Sequence, residues 1–233
     1  MKRNRLDLLL SLAILLAGVG CGLLLEARWN LSSRLGYPSG PTDQCTAGQI
    51  PTVDADTPWQ ELPKIANPDG GKPVFIAGAP DAPLAVQVYL DLECPFSQQW
   101  IQAVLPKLLA RKDVHLELHD FPLPNHSNAQ MAAQAGRCAG GGYSYLDFLS
   151  ALVSSGVPDE AAIRQAAAAA HLEVSRLLAC LPTEESNVRL DLLSAQAAGV
   201  RATPTTVING RGLAGLFPWA TYERLLAEAQ HGQ

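Results

Sequence analysis

The chemistry in this chain sits in its cysteines, and one of them is placed to react. Cys94 stands in the run Asp91-Leu92-Glu93-Cys94-Pro95-Phe96-Ser97, after an apolar stretch that reads as a buried strand and before one with the apolar spacing of a helix. That puts a thiol at a helix N-terminus, where unsatisfied N–H groups and the positive end of the macrodipole favour the thiolate, the form that attacks disulfides. Pro95 suits the first helical turn, where no N–H is needed. A redox C-x-x-C site would carry a second cysteine where this chain has Ser97. The sulfur can therefore attack, but no adjacent thiol can resolve the product. Release falls to a second cysteine of the substrate, which is isomerisation, then to a small thiol, and third to Cys45 arriving along the chain. Ser97 could hydrogen-bond a Cys94 thiolate one turn away, with a plain helix-surface serine as the equal alternative. Glu93 reads as a solvated carboxylate beside the thiol, with tuning of that thiol as the alternative.

Of the other cysteines, Cys21 falls in an apolar N-terminal run, and Cys45, Cys138 and Cys180 lie beyond it with Cys94. Four cysteines allow three full pairings, and spacing does not choose among them. His115, Glu117 and His119 share one face of a strand at a spacing that could bind metal, but polar alternation on a half-covered strand explains them more simply. No metal and no cofactor is expected. His126 reads as structural. Phe96, Trp100 and Phe217 read as core, with the edge of a peptide groove as the alternative.

The elements that must hold Cys94 can be read from periodicity. Residues 84–90 place Leu84, Val86, Val88 and Leu90 on one face, and residues 114–121 alternate again. Between them Ile101, Val104, Leu105, Leu108 and Leu109 form one helical stripe, kinked at Pro106. Strand, helix and strand make a βαβ unit with a parallel pair. Residues 74–77 are a short strand. Ser127 and Gln130 form a capping box opening a helix to Cys138, and helices are predicted over 143–154, 159–171, 173–181 and 184–198, with a turn at Leu181-Pro182. Asn209-Gly210 should join strands 205–208 and 213–216 as a hairpin, and a last helix covers 219–229. The fold class is α/β, a sheet with a helical block inserted at about residues 122–198.

Ahead of this domain, at 73–233, residues 30–72 are rich in Gly, Pro, Ser, Asp and Thr and read as linker, with a short helix at 59–65. Residues 1–29 pair Lys2, Arg3 and Arg5 with an apolar run over 8–25 closed by Trp29. This reads as a single membrane span with its basic end in the cytoplasm, or as a cleaved signal peptide, or as a lipid-modified segment beginning at Cys21. The whole chain carries 17 basic and 22 acidic residues, net −5; without Lys2, Arg3, Arg5 and Asp7 the balance is 14 against 21. Nucleic acid is excluded as a partner on that charge.

Three blocks give the chain a family resemblance. They are Gly78-Ala79-Pro80-Asp81-Ala82-Pro83 through Cys94-Pro95-Phe96; Phe121-Pro122-Leu123-Pro124 with Asn128-Ala129; and Gly199-Val200 through Thr203-Pro204-Thr205 into Asn209-Gly210. In their order and spacing they resemble the DsbA-like branch of the thioredoxin fold. The resemblance implies disulfide exchange with exported cysteine-containing proteins, with Cys94 as nucleophile and Thr203-Pro204, cis in that family, as the flanking loop that meets a passing peptide beside Pro95 and Phe96. It departs at Ser97, where the family's resolving cysteine is missing. On the helical insertion Cys138 and Cys180 read as a structural disulfide, which leaves Cys45 free, bonded to Cys94 as a candidate resolving thiol, or joining two chains. The activity expected is thiol–disulfide exchange through a single cysteine, in a domain held outside the cytoplasmic membrane by residues 1–29, with glutathione or a membrane redox protein as further candidate partners. The alternatives are a redox-inactive peptide-binding module and a glutathione-dependent enzyme.

Overall fold

The computed structural model describes residue 45, residues 54–66 and residues 71–232, all within the compact unit Pro38–Gln233. The anchor expected at residues 1–29 lies outside the described residues; among these, no helix is long and apolar enough to cross a membrane.

Five strands, β1 (Phe75–Ala77), β2 (Leu84–Leu90), β3 (Val114–Asp120), β4 (Thr205–Ile208) and β5 (Arg211–Ala214), form one sheet in the order β1-β3-β2-β4-β5. β2 and β3 are parallel, with Val86 opposite Leu116 and Val88 opposite Leu118, so the apolar alternation of both strands falls on one face. The remaining neighbours are antiparallel. A parallel pair needs a crossover, supplied by α1 (Pro95–Ala103) and α2 (Leu105–Leu109). Between β3 and β4 stand α3 (Ala129–Cys138), α4 (Tyr143–Ser154), α5 (Glu160–Ala169) and α6 (Val174–Ala198), and α7 (Trp219–His231) follows β5. The α/β sheet with an inserted helical block is thus as the sequence predicts.

The main core lies on the face of Val86, Val88, Leu116 and Leu118, packed with Trp100, Phe148, Leu152, Tyr222 and Leu225. A second apolar cluster joins Tyr89, Phe121, Leu123, Ala195, Val200 and Val207 to Cys45 and Cys94. The β4–β5 turn is tight because Asn209 and Gly210 both take positive φ, 46° and 79°. Asn209 Oδ1 accepts from the Ala85 amide at 2.8 Å and ties the hairpin to β2.

Several boundaries differ from the sequence reading. Pro106 does not kink one helix but separates two, because it has no N–H to continue the ladder, and the chain resets at Val104. Pro182, by contrast, ends nothing: α6 runs unbroken through it for 25 residues. The Thr183 hydroxyl donates to the Cys180 carbonyl at 2.7 Å, and a Cys138–Cys180 disulfide clamps α6 to α3 two residues before the proline. The Ser127 capping box is not made; α3 is capped at Asn128, whose amide donates to Glu93 at 2.6 Å. The second hairpin strand is Arg211–Ala214, shifted toward the turn by the two-residue loop.

The described part of the linker packs onto the domain. Instead of a helix over 59–65, a 3-10 turn at Trp59–Glu61 buries Trp59 and Leu62 in the core. Trp59 Nε1 donates to the Ile208 carbonyl at 2.9 Å, and the Ile65 and Gly212 amides donate to Gly210 and Pro63 across an edge of the sheet. Polar composition concealed this: two large side chains, the indole bond and these two backbone bonds hold the segment.

The Cys138–Cys180 bridge spans a sequence separation of 42. Replacing both with alanine removes a cross-link whose chain-entropy value is about 4 kcal/mol, so thermal or urea unfolding of the double variant is expected to show a loss of roughly 2–4 kcal/mol.

Candidate functional site

At the end of β2 the chain must leave the sheet and begin α1, and a buried carboxylate organises the turn. Asp91 Oδ1 accepts from the Glu93 amide at 2.8 Å and the Cys94 amide at 3.3 Å. Its Oδ2 accepts from the Leu123 amide and from His126 Nδ1, both at 2.8 Å. An ionised carboxylate only accepts, so the histidine nitrogen is the donor. One side chain thus pins the nucleophile's turn to the loop after β3. The sequence reading missed Asp91; its signal was an acid directly at the end of an apolar strand and three residues before the cysteine.

Cys94 is the N-cap of α1, extended at φ −70° and ψ 121°, and Pro95 takes the first helical position. The Gln98 amide donates to the Cys94 carbonyl at 3.0 Å, closing the first turn. No acidic side chain stands in that turn to oppose a thiolate. Cys94 is bonded to Cys45, and both are fully buried. The structure therefore does not present Cys94 as a lone thiol: of the states open to Cys45, it has the one bonded to Cys94, across a sequence separation of 49.

The Thr203-Pro204 peptide bond is cis and lies against this disulfide. The Thr203 carbonyl oxygen is 3.4 Å from Cys94 Sγ. With the sulfur in a disulfide there is no hydrogen to donate, so this is a contact and not a bond. On its other side Thr203 donates its backbone N–H to the Cys45 carbonyl at 2.9 Å. Thr203 is itself fully buried. Cys45 is thus held twice, through its sulfur to Cys94 and through its backbone to Thr203.

Other candidate residues fall differently. Ser97 is neither a surface serine nor a partner of the sulfur: it is fully buried, and its hydroxyl accepts from the Asp91 amide at 3.3 Å. The first turn of α1 lies on the strand end, which turns the position three residues after Cys94 inward. Glu93 is not a solvated carboxylate, since it accepts from both the backbone and the side chain of Asn128 and sets the start of α3. Trp100 and Phe217 are core residues, and Phe96 packs half-buried between the two apolar clusters.

His115, Glu117 and His119 belong to a chain of ion pairs running behind the site. Glu117 lies between the two imidazoles, at 3.3 Å from His115 Nε2 and 3.5 Å from His119 Nε2. His119 Nδ1 is 2.8 Å from Asp191 of α6, which also meets Arg137 at 2.8 Å; Arg137 in turn holds Asp120 at 2.5 Å. Burial disfavours charge on His119, but hydrogen bonds to Asp191 and Glu117 outweigh it and raise its pKa to about 9. The His119 hydrogen bond, against the effect of burial, lowers Glu117 to about 2. Burial lifts Asp120 to about 7 in spite of Arg137. Tyr89, in the cluster that holds the disulfide, stacks on His119 with ring centroids 5.0 Å apart. Among the described residues no group of three or more His, Cys, Asp and Glu side chains is placed to hold a metal ion.

With this geometry in hand, comparison with known proteins gives the class. Residues 71–228 match the family described as Thioredoxin, and the chain belongs to that family. Among solved structures it is similar to BdbD of Bacillus subtilis in its oxidised form (19% identity, 72% of this chain and 100% of that one, TM-score 0.60). It is similar also to alpha-DsbA1 of Wolbachia pipientis (19%, 67% and 90%, TM-score 0.61) and to a thioredoxin-like oxidoreductase of Silicibacter pomeroyi (21%, 67% and 91%, TM-score 0.60). The fold is accordingly that of the DsbA-like thiol–disulfide oxidoreductases. Among curated sequences it is 29% identical over 178 residues to the Na(+)/H(+) antiporter NhaA of Herminiimonas arsenicoxydans, covering 74% of this chain and 28% of the antiporter. The chain thus spans little more than a quarter of that relative's length.

Two outcomes are expected from this arrangement. Asp91→Ala takes the buried carboxylate from the amides of Glu93, Cys94 and Leu123 and from the His126 ring, Cys94 keeping its bond to the backbone carbonyl of residue 91; it should cost about 3 kcal/mol in denaturant unfolding, and Asp91→Asn, which keeps one oxygen, should cost less. For His119, a pKa raised from 6.5 to about 9 means stabilisation that is complete below pH 6.5 and lost as the pH rises through 9. Asp120, lifted from 3.8 to about 7, acts mostly below that window. Unfolding free energy should fall by roughly 2–3 kcal/mol between pH 6.5 and 9, and His119→Gln should flatten that slope.

Proposed function

We propose that this protein carries out thiol–disulfide exchange on cysteine-containing proteins outside the cytoplasm, with Cys94 as the attacking sulfur and Cys45 as its resolving partner. The observation that carries the reading is the Cys45–Cys94 bond at the N-terminus of α1, against the Thr203-Pro204 loop. It replaces the preference for a substrate cysteine as resolving group: a second sulfur of the same chain already reaches the first. In the reduced protein the Cys94 thiolate attacks a substrate disulfide, forming a mixed disulfide and expelling one substrate thiolate. The Cys45 thiolate then attacks Cys94 Sγ, which releases the second substrate thiolate and forms the Cys45–Cys94 bond. Two electrons pass from the protein to the substrate, and the reverse sequence oxidises a substrate dithiol.

Extracytoplasmic placement is supported by two disulfides in one chain, which persist in oxidising compartments. The basic residues 2–5 ahead of the apolar run at 8–25 support tethering to the cytoplasmic membrane. Glutathione and a membrane redox protein remain part of the proposal as partners that reset the pair.

The test is a reaction of the reduced protein with a synthetic peptide disulfide, followed by mass spectrometry without reduction. Wild type should end as the Cys45–Cys94 disulfide, with the peptide released. Cys45→Ser should stop at a peptide adduct on Cys94, and Cys94→Ser should form no adduct there and lose exchange by at least about a hundredfold, the scale of losing an activated nucleophile. Exchange that survives Cys94→Ser unchanged would overturn Cys94 as the attacking sulfur, and a wild type that forms no adduct and releases no peptide would leave a binding module as the better reading.

A further inference from the structure

Resting on that reading, we infer that Cys45 occupies the position a substrate cysteine must take, so that the site favours the reducing direction: Cys94 attacks an incoming disulfide, and Cys45 then displaces the product from both of its attachments.

The geometry makes the two attachments explicit. A substrate cysteine joined to Cys94 must place its sulfur where Cys45 Sγ stands, and beside that sulfur the Thr203 N–H is a buried backbone donor, already taken by the Cys45 carbonyl at 2.9 Å. A buried N–H left without an acceptor is costly, so any peptide replacing Cys45 must supply a carbonyl there. Peptide and Cys45 compete for one sulfur and one hydrogen bond. In a C-x-x-C site the resolving sulfur lies on the helix itself and leaves the facing backbone free; in this chain that helix position is Ser97, whose hydroxyl is committed to Asp91.

The two directions share their steps in opposite order, and the bias lies in the end states, since the oxidised pair holds both the sulfur bond and the Thr203 hydrogen bond. When the pair is reduced, Cys45 is no longer bonded and the Thr203 N–H can donate to a substrate carbonyl, so a disulfide-bearing peptide can dock as Cys94 attacks. Resolution by Cys45 then breaks the mixed disulfide and removes the hydrogen bond that held the product. When the pair is oxidised, both sulfurs are fully buried and the donor is occupied, so a peptide thiol meets a site with nothing left to recognise it. A cycle in the reducing direction needs a dithiol donor to return two electrons to the Cys45–Cys94 bond. A compact dithiol that needs no backbone hydrogen bond, or one on a partner domain, fits that role better than an extended substrate.

The experiment compares how well the site recognises a peptide thiol with Cys45 present and absent. The probes are a reduced cysteine-containing decapeptide and 2-mercaptoethanol, which has no backbone to hydrogen-bond. Each is reacted with the oxidised wild type and with Cys45→Ser carrying a methylthio group on Cys94, which has no carbonyl to offer the Thr203 N–H. Dividing the peptide rate by the 2-mercaptoethanol rate within each protein cancels the difference between leaving groups. That ratio should be roughly tenfold higher for the methylthio adduct, the scale of one backbone hydrogen bond. Cys45→Ala, treated alike, should agree. Equal ratios would overturn the inference while leaving Cys94 chemistry intact. Failure of Cys94 to take up the methylthio group or to exchange with either probe would overturn the proposed function itself.

Discussion

The site depends first on a single carboxylate holding four donors in the protein interior. Asp91 stands where β2 leaves the sheet and gathers the amides of Glu93, Cys94 and Leu123 with the ring of His126. It gives the Glu93 and Leu123 amides their acceptor and adds to the bond that the Cys94 amide makes to the Asp91 carbonyl at 3.1 Å, which is why the turn can be tight. Its own amide donates to Ser97, so strand end, helix start and the loop after β3 become one unit. The orientation of α1 follows, and with it the placement of Cys94 at the end where backbone N–H groups favour a negative sulfur.

Behind that unit lies a second polar system of a different kind. Asp120, Arg137, Asp191, His119 and Glu117 join β3 to α3 and α6 by charge, along the side of the sheet that also carries Tyr89 and the disulfide cluster. Buried ion pairs add little net stability over an apolar filling, but removing one member leaves its partner exposed to a low dielectric. Such a network fixes which faces meet. α6 serves both regions: Cys180 ties its first half to α3, and Asp191 and Ala195 in its second half reach the charges and the sulfurs.

What was legible in the sequence was local. Alternation in 84–90 and 114–120 placed the central parallel strands, Asn209-Gly210 placed the hairpin, and Pro95 after Cys94 placed the thiol at a helix start. What was not legible depended on partners far along the chain. Nothing around Cys45 marks it as part of a site, because its partners Cys94 and Thr203 come from elsewhere in the fold. Pro182 reads as a helix stop by its own chemistry and is overruled by a disulfide and a long packed face. Ser97 and Glu93 look like surface residues until the contacts of Asp91 and Asn128 turn them inward. The stretch before residue 72 was polar on average, yet Trp59 and Leu62 within it are core.

Trp59 and its neighbours have one more effect, on how far a released Cys45 can travel. Residues 54–66 are fastened to β5 and α7 by backbone bonds, by Trp59 and by the Glu228 carboxylate on the Trp59 amide at 2.7 Å. Nine peptide units lie between Asp54 and Cys45, so a freed sulfur stays within about 30 Å of a fixed point even at full extension. Confined to such a sphere, it faces Cys94 at an effective concentration on the order of 10 mM. Ring closure is then a unimolecular event whose speed is independent of how much thiol the surrounding fluid contains.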